Sequence, residues 1–182
     1  MEQTAAFTTR DLTKMAICVA LLCVAAYISF PLPFTVAMIT ALTIVMNLAA
    51  FILTPRQTFV VIFVYVLLGT AGVPVFTGGS AGLGKLFGPT GGFIFSYLLA
   101  YPLVSWLKGQ NNSFGRYLLV AVCIGMPITY IGGLISMALL LKLDLWSALV
   151  MSVFPFIPGD IFKAAAAAFL GVKLNKVFER LG

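Results

Sequence analysis

Long apolar runs separated by short polar segments dominate this chain of 182 residues. Lys, Arg, Asp and Glu are all missing from four stretches, 15–55, 57–84, 86–107 and 117–141. A helix needs about 20 apolar residues to cross ~30 Å of hydrocarbon. The pattern therefore predicts six membrane-spanning helices. The predicted spans are about Met15–Phe30, Phe34–Leu53, Thr58–Val75, Gly91–Leu107, Leu118–Leu141 and Ile161–Val177.

The composition agrees with an all-α integral membrane protein. Hydrophobic residues make up 62% of the chain and charged residues 9%, against roughly 25% charged in soluble proteins. The apolar stretch Leu145–Phe156 is too short for a span and predicts an interfacial or re-entrant helix. We expect residues 1–182 to form one transmembrane domain. The first apolar run is long and lacks a small-residue cleavage site, so we expect it to be retained.

The basic residues favour one orientation of the spans. Lys and Arg concentrate in cytoplasmic loops of membrane proteins. With both termini inside, eight basic residues are cytoplasmic, whereas Lys85 and Lys142 are outside and Lys163 lies within a span. The eight are Arg10, Lys14, Arg56, Lys108, Arg116, Lys173, Lys176 and Arg180. This count predicts cytoplasmic termini.

Several classes of chemistry find no support in the sequence. The basic residues occur singly at segment ends rather than in an aromatic-lined patch, so we expect no nucleic-acid partner. The chain has three cysteines, all in apolar segments, and no histidine, which gives no metal site. Since no nucleophile–base pair or nucleotide site is present either, we expect neither enzymatic activity nor a cofactor.

Two charges interrupt the apolar stretch "FPFIPGDIFKAAAAAF" at 154–169. Pro158 and Gly159 precede Asp160, which predicts a helix that begins at about Asp160 with this residue as its N-cap. Residues three positions apart share a helix face. The side chains of Asp160 and Lys163 are therefore expected to point the same way.

Two interpretations of this pair are open. In the structural one, Asp160 caps the helix while Lys163 balances its charge or extends to the membrane surface. In the functional one, the pair faces a cavity, because a central intramembrane charge costs roughly 2.5–3.5 kcal/mol and such groups usually mark functional sites. An acceptor beside a donor suits a ligand with adjacent N–H and C=O groups, such as an amide or ureido unit.

The segment 69–92 contains nine glycines. It either permits tight turns and close helix packing or forms a lid that offers backbone N–H and C=O groups to a ligand. Its "GSAGLGK" at 79–85 is similar to a phosphate-binding loop, but Leu86 replaces the required Ser or Thr and no strand precedes it. In the first helix, Ala16 and Ala20 form a small-xxx-small pair, which allows close approach of a second helix, either from within this protein or from a partner.

Three motifs together resemble one known family. "VPVFTGG" at 73–79, "GPTGGF" at 88–93 and "PFIPGDIFKAA" at 155–165 occur in this order on six hydrophobic segments. This combination resembles the BioY family, the biotin-binding S components of energy-coupling factor (ECF) transporters. The resemblance covers nearly the whole chain.

The resemblance implies a six-helix protein of a prokaryotic plasma membrane that captures biotin from outside. Its partners would be an ECF transmembrane coupling protein and two cytosolic ATPase subunits in the lipid bilayer. The acid and base of the family motif map onto Asp160 and Lys163, and the coupling face maps onto Ala16 and Ala20. The other candidate substrate-binding residues are Phe76, Gly79, Ser80, Gly91, Gly92 and Phe156.

One region departs from the family pattern. Many relatives have a polar pattern at the start of the second helix, of which "FTVAMITALTIVMN" keeps only Thr40. The resemblance therefore assigns no ligand contact there. Two alternatives also stay open: an S component for another vitamin, and a self-sufficient secondary transporter in which Asp160 relays protons.

Overall fold

The computed structural model describes residues 7–181, and within them helices and one short β hairpin form the fold. The helices are α1 (Thr9–Ala25), α2 (Leu42–Ile52), α3 (Pro55–Thr70), α4 (Leu83–Leu86), α5 (Gly91–Leu107), α6 (Phe114–Val120), α7 (Met126–Leu141), α8 (Leu145–Ser152) and α9 (Ile157–Leu181). The antiparallel strands β1 (Ser29–Pro31) and β2 (Met38–Thr40) pair Phe30 with Ile39.

The predicted second span is wrong in its first half. Residues 34–41 are not helical, since β2 and the turn before it occupy them, and α2 has only 11 residues. Pro31 and Pro33 lack the N–H that a helix interior needs, and β-branched residues such as Val36 and Ile39 favour extended backbone. Apolar content alone does not distinguish a short strand from a helix.

The predicted start of the last helix is also wrong. α9 begins at Ile157 rather than at about Asp160, and the Asp160 N–H already donates to the Phe156 carbonyl (2.8 Å). Pro158 is tolerated there because N–H groups in the first turn of a helix have no carbonyl partner within the helix, so none is lost. Asp160 is thus a first-turn residue and not an N-cap, which leaves its carboxylate available for other partners.

Helix α5 is central, since it contacts α2, α3 and α7. The contact with α7 is close because it joins two glycines: a Cβ on Gly92 would overlap the Gly132 carbonyl. Small residues allow such close approach between membrane helices. On the other side of the bundle, α2 packs on α9, where Ala164, Ala167 and Ala168 are buried.

One continuous helix runs from Phe114 to Leu141 and contains a π-helical segment, Ala121–Gly125. Pro127 follows this segment. A proline cannot donate to the carbonyl four residues earlier, and local π geometry is one way in which membrane helices accommodate that loss. The segment therefore carries the helix past its proline without a break.

Length and composition separate one helix from the others in residues 7–181. Phe114–Leu141 is long and apolar enough to cross a membrane, and α8 with α9, bent by 42°, also qualifies when the two count as one span. Helices α2, α3 and α5 are apolar but shorter. The short helix predicted at Leu145–Phe156 is present as α8, which ends at Ser152.

The end of α2 is held by a lysine that follows α5. The Lys108 ammonium donates to the carbonyls of Ala50, Phe51 and Leu53 at 2.6–2.8 Å. A cation at this position also compensates the negative end of the helix dipole. Burial lowers the Lys108 pKa to about 7, and the three carbonyls oppose that shift because they stabilise the charged form.

Replacing Lys108 with methionine should lower the stability of the fold. The change keeps the length of the side chain but leaves the Ala50 carbonyl without a partner among residues 7–181, whereas the carbonyls of Phe51 and Leu53 keep Asn175 and Ser105 as donors. One unpaired buried acceptor costs about 1–3 kcal/mol. Thermal unfolding in detergent measures the effect. Lys176→Met removes the same charge from an exposed site and is the control, so equal melting temperatures for both variants would contradict the role of Lys108.

Candidate functional site

A cavity of about 60 Å³ is lined by the loop 71–90, the β hairpin and helices α2, α5, α7 and α9. Apolar and aromatic side chains share its lining with hydroxyl groups and three charged groups. The lining residues are Val36, Ala37, Met38, Thr40, Thr43, Thr77, Lys85, Thr90, Phe93, Ile94, Tyr97, Thr129, Tyr130, Phe156, Asp160 and Lys163.

The Asp160 carboxylate is the centre of the polar lining. Its Oδ1 accepts from Lys163 Nζ at 2.8 Å and from Thr43 Oγ1 at 3.4 Å. Its Oδ2 accepts from the Tyr130 hydroxyl at 2.9 Å. Both charged side chains are only 12% exposed. Donors from α2, α7 and α9 therefore fix one carboxylate in one orientation.

This network leaves hydrogen-bonding capacity in the cavity. A carboxylate has about four lone-pair sites and an ammonium has three N–H donors. Asp160 uses three acceptor sites and Lys163 uses one donor in the described part of the chain. The pair can therefore accept from a ligand N–H and donate to a ligand oxygen without first breaking its own contact.

The loop 71–90 adds a second cation to the lining. Lys85 lies on α4 and lines the cavity, together with Thr77 and Thr90 from the same loop. Partial burial lowers the pKa of the Lys85 ammonium. Among residues 7–181 the only ion pair joins Asp160 to Lys163, so Lys85 has no carboxylate partner there. The lining thus contains two cations and one anion, a balance that favours an anionic ligand.

Three of the predicted substrate-binding residues, Phe156, Asp160 and Lys163, line this cavity. Phe76 lies outside the lining, fully buried with its ring edge-on to Tyr65 at 5.9 Å between centroids.

Two predicted residues shape the loop that covers the cavity, outside its lining. Gly79 has a φ of +69° and lies against the Tyr27 ring, so a side chain there would be strained. Ser80 donates from its hydroxyl to the Thr77 carbonyl at 2.8 Å. Both residues therefore stabilise the turn that places Thr77 at the cavity.

The two remaining predicted residues, Gly91 and Gly92, are packing positions at the start of α5. A Cβ on Gly91 would overlap the carbonyl of Leu86, as one on Gly92 would overlap that of Gly132. Neither lines the cavity. Their effect on the site is indirect, because they set how closely α5 approaches α4 and α7.

Most of the polar lining comes from residues that the sequence pattern did not indicate. Thr43 and Tyr130 bind Asp160, yet they lie 117 and 30 residues away from it along the chain. Thr40, the one polar residue left of the family pattern in that region, lines the cavity, although no contact was assigned to it. A tyrosine or threonine inside a predicted membrane span was the available signal, since buried hydroxyls need partners.

The predicted coupling residues lie on the surface of the bundle. Ala16 and Ala20 are both exposed on α1, whereas the buried face of α1 consists of Met15, Cys18, Leu22 and Ala25. The alanines are one turn apart and point away from the neighbouring helices. They are therefore accessible to another protein.

Comparison of the sequence with known families identifies the family of this chain. The model of the BioY family matches residues 1–180. The chain belongs to the BioY family. The probable biotin transporter BioY of Bacillus subtilis (strain 168) is 35% identical over 176 residues, which cover 93% of this chain and 92% of that relative. The biotin transporter BioY of Thermotoga maritima is 33% identical over 171 residues, covering 92% and 97% of the two chains.

Solved structures agree on the fold of this BioY family chain. The crystal structure of the S-component for biotin from an ECF-type ABC transporter has a TM-score of 0.86 and 24% identity, and covers 94% of this chain and 95% of that one. The S component of a bacterial ECF transporter has a TM-score of 0.60 and 18% identity, covering 94% and 96%. The chain therefore has the S-component fold.

The Asp160–Lys163 pair should show strong coupling in a double-mutant cycle. Lys163→Met alone leaves a mostly buried carboxylate without its cation, which should cost on the order of 1–3 kcal/mol of folding free energy. Adding Asp160→Asn removes that charge and should recover much of the loss. Melting temperatures of both single variants and the double variant measure the cycle, and strictly additive effects would show that the two groups do not interact.

Proposed function

We propose that this chain is the biotin-binding S component of an ECF transporter and takes up the vitamin with an ATP-driven module. The observation that carries the proposal is the Asp160–Lys163 pair, held by Tyr130 and Thr43 at a cavity beneath the glycine-rich loop. Family membership and the names of the relatives support biotin over other vitamins.

The chemistry of the cavity suits biotin. The ureido ring of biotin has two N–H donors and one carbonyl acceptor, which complement the carboxylate of Asp160 and the ammonium of Lys163. Phe93 and Phe156 supply apolar surface for the bicyclic ring. The net positive charge of the lining matches the single carboxylate of the biotin tail. We propose biotin as the transported ligand and assign no cofactor, metal or catalytic residue.

Loading of the site requires movement. Pockets for ligands of this kind measure about 300–1,000 Å³, whereas the cavity measures about 60 Å³. The loop 71–90 covers it and contributes Thr77, Lys85 and Thr90 to its lining. Gly82, immediately before α4, has a φ of +87°, and a Cβ added there would meet no atom within 4 Å. We propose that this loop moves outward when biotin enters.

We propose six membrane crossings in a single domain of residues 1–182, with both termini in the cytoplasm. α1, α3 and α5 each have 16–17 residues and are therefore about 24–26 Å long, close to the ~30 Å hydrocarbon thickness. α2 is shorter, and the β hairpin completes its crossing. The distribution of Lys and Arg supports the orientation.

Transport energy is proposed to come from partners: a transmembrane coupling protein and two cytosolic ATPase subunits. Ala16 and Ala20 are exposed on α1 and offer a surface that a partner helix can approach closely. This support is independent of the cavity, because neither alanine lines it.

Purified protein should bind biotin with much higher affinity than thiamine or riboflavin. Isothermal titration calorimetry with each vitamin tests the function directly, and absence of saturation by micromolar biotin would overturn it.

Asp160→Asn keeps the shape of the side chain but loses the charge-assisted acceptor, so it should weaken biotin binding at least about tenfold, or roughly 1.4 kcal/mol. Asp144→Asn removes a carboxylate from the exposed cap of α8 and should leave the affinity unchanged.

Replacing Ala16 or Ala20 with tryptophan should prevent stable association with the coupling module. A large ring leaves no room for close helix approach, while the biotin cavity is not affected. Co-purification of the tagged protein with the module measures association, and biotin titration of the same samples shows that the fold is intact. Leu139→Trp, at an exposed position of α7, is the control; if both alanine variants still co-purify, the coupling face lies elsewhere.

A further inference from the structure

A second cavity lies away from the proposed biotin site. It is a groove of about 540 Å³ between α1, α2 and the final turns of α9, which falls within the range of about 300–1,000 Å³ typical of ligand sites. None of its lining residues lines the first cavity. The groove is therefore a separate feature of the molecule.

The lining of the groove is apolar along its length and basic at one end. Arg10, Lys14, Ile17 and Leu21 follow one another at spacings of three and four residues, so they form one stripe on α1. From Arg10 to Leu21 the stripe extends about 16 Å at 1.5 Å per residue. α2 supplies the facing apolar side chains, among them Leu48.

The two cations are positioned but retain free donors. One Arg10 Nη donates to the Phe178 carbonyl at 3.0 Å, and Lys14 Nζ lies 4.6 Å from the centroid of the Phe178 ring. Neither has a carboxylate within 4.0 Å among the described residues, where the sole ion pair is Asp160–Lys163. The acidic neighbour Asp11 accepts from Thr8 in the cap of α1.

We infer that this groove binds an anionic phospholipid, with its phosphate at Arg10 and Lys14 and an acyl chain along Ile17, Leu21 and Leu48. Charge complementarity selects the occupant, because an apolar groove that ends in two cations without a carboxylate partner in residues 7–181 fits a molecule with an anionic head and an apolar tail. The inference rests on the orientation proposed above, which places Arg10 and Lys14 at the cytoplasmic leaflet, where anionic lipids concentrate. It does not depend on biotin.

A bound lipid would have a structural effect on α1. It would fill the space between α1 and α9, which Arg10 and Lys14 otherwise bridge only through Phe178. Because Ala16 and Ala20 lie on the same helix, anionic lipid would also steady the proposed coupling face.

Native mass spectrometry of the detergent-purified protein, with equimolar phosphatidylglycerol and phosphatidylcholine of the same acyl chains, tests the inference. The wild type should retain phosphatidylglycerol preferentially. Each cation near a membrane surface contributes about 1 kcal/mol, so Arg10→Gln with Lys14→Gln should weaken phosphatidylglycerol binding at least about tenfold. Lys176→Gln removes one cation from the same end of the bundle, outside the groove, and should retain the preference.

A second variant keeps the test independent of the charge changes. Ile17→Trp fills the exposed side of the groove while both cations remain, and should reduce lipid retention. Biotin titration of every variant should give the wild-type affinity, which shows that each is folded. Equal retention of both lipids by the wild type, or retention by the Gln variants equal to that of Lys176→Gln, would overturn the inference. The inference would also be overturned if the groove variants kept phosphatidylglycerol but no longer bound the coupling module, because a partner helix would then occupy the groove.

Discussion

One mostly buried carboxylate, that of Asp160, constrains much of this molecule. Asp160 lies between apolar helices, and an ionised carboxylate is tolerated there only with a cation and hydrogen-bond donors around it. Those donors come from α2, α7 and α9, so the three helices must meet around one group. The three donors to Asp160 also line the cavity, so the groups that stabilise its charge form the polar wall of the site.

Sequence alone predicted the parts of this arrangement that depend on local pattern. Asp160 and Lys163 are three residues apart, and helical spacing suffices to place them on one face. Family motifs supplied the identity of the fold, which the family match confirmed. The helices themselves follow apolar periodicity and local caps, such as Thr54 with Gln57 at the start of α3.

The rest depends on contacts between distant residues. Nothing near Thr43 or Tyr130 in the sequence indicates that both bind the same carboxylate, because that contact exists only after α2 and α7 have packed. The β hairpin was missed for a different reason: residues 34–40 are apolar enough for a membrane helix, and their extended backbone reflects nearby prolines and pairing with β1. The N-cap assigned to Asp160 failed because Pro158 and Gly159 lie inside the helix rather than before it.

The π-helical segment at Ala121–Gly125 also determines which side chains of α7 face the site. A π bulge corresponds to one additional residue in a helix, and each residue turns the helix by about 100°. Every residue from Met126 onward is therefore rotated relative to an uninterrupted α-helix, including Tyr130, which reaches Asp160 at 2.9 Å. If this segment became regular α-helix without loss of a residue, the apolar character of the span would stay the same but its rotational phase would change, so that the tyrosine would no longer point at the carboxylate.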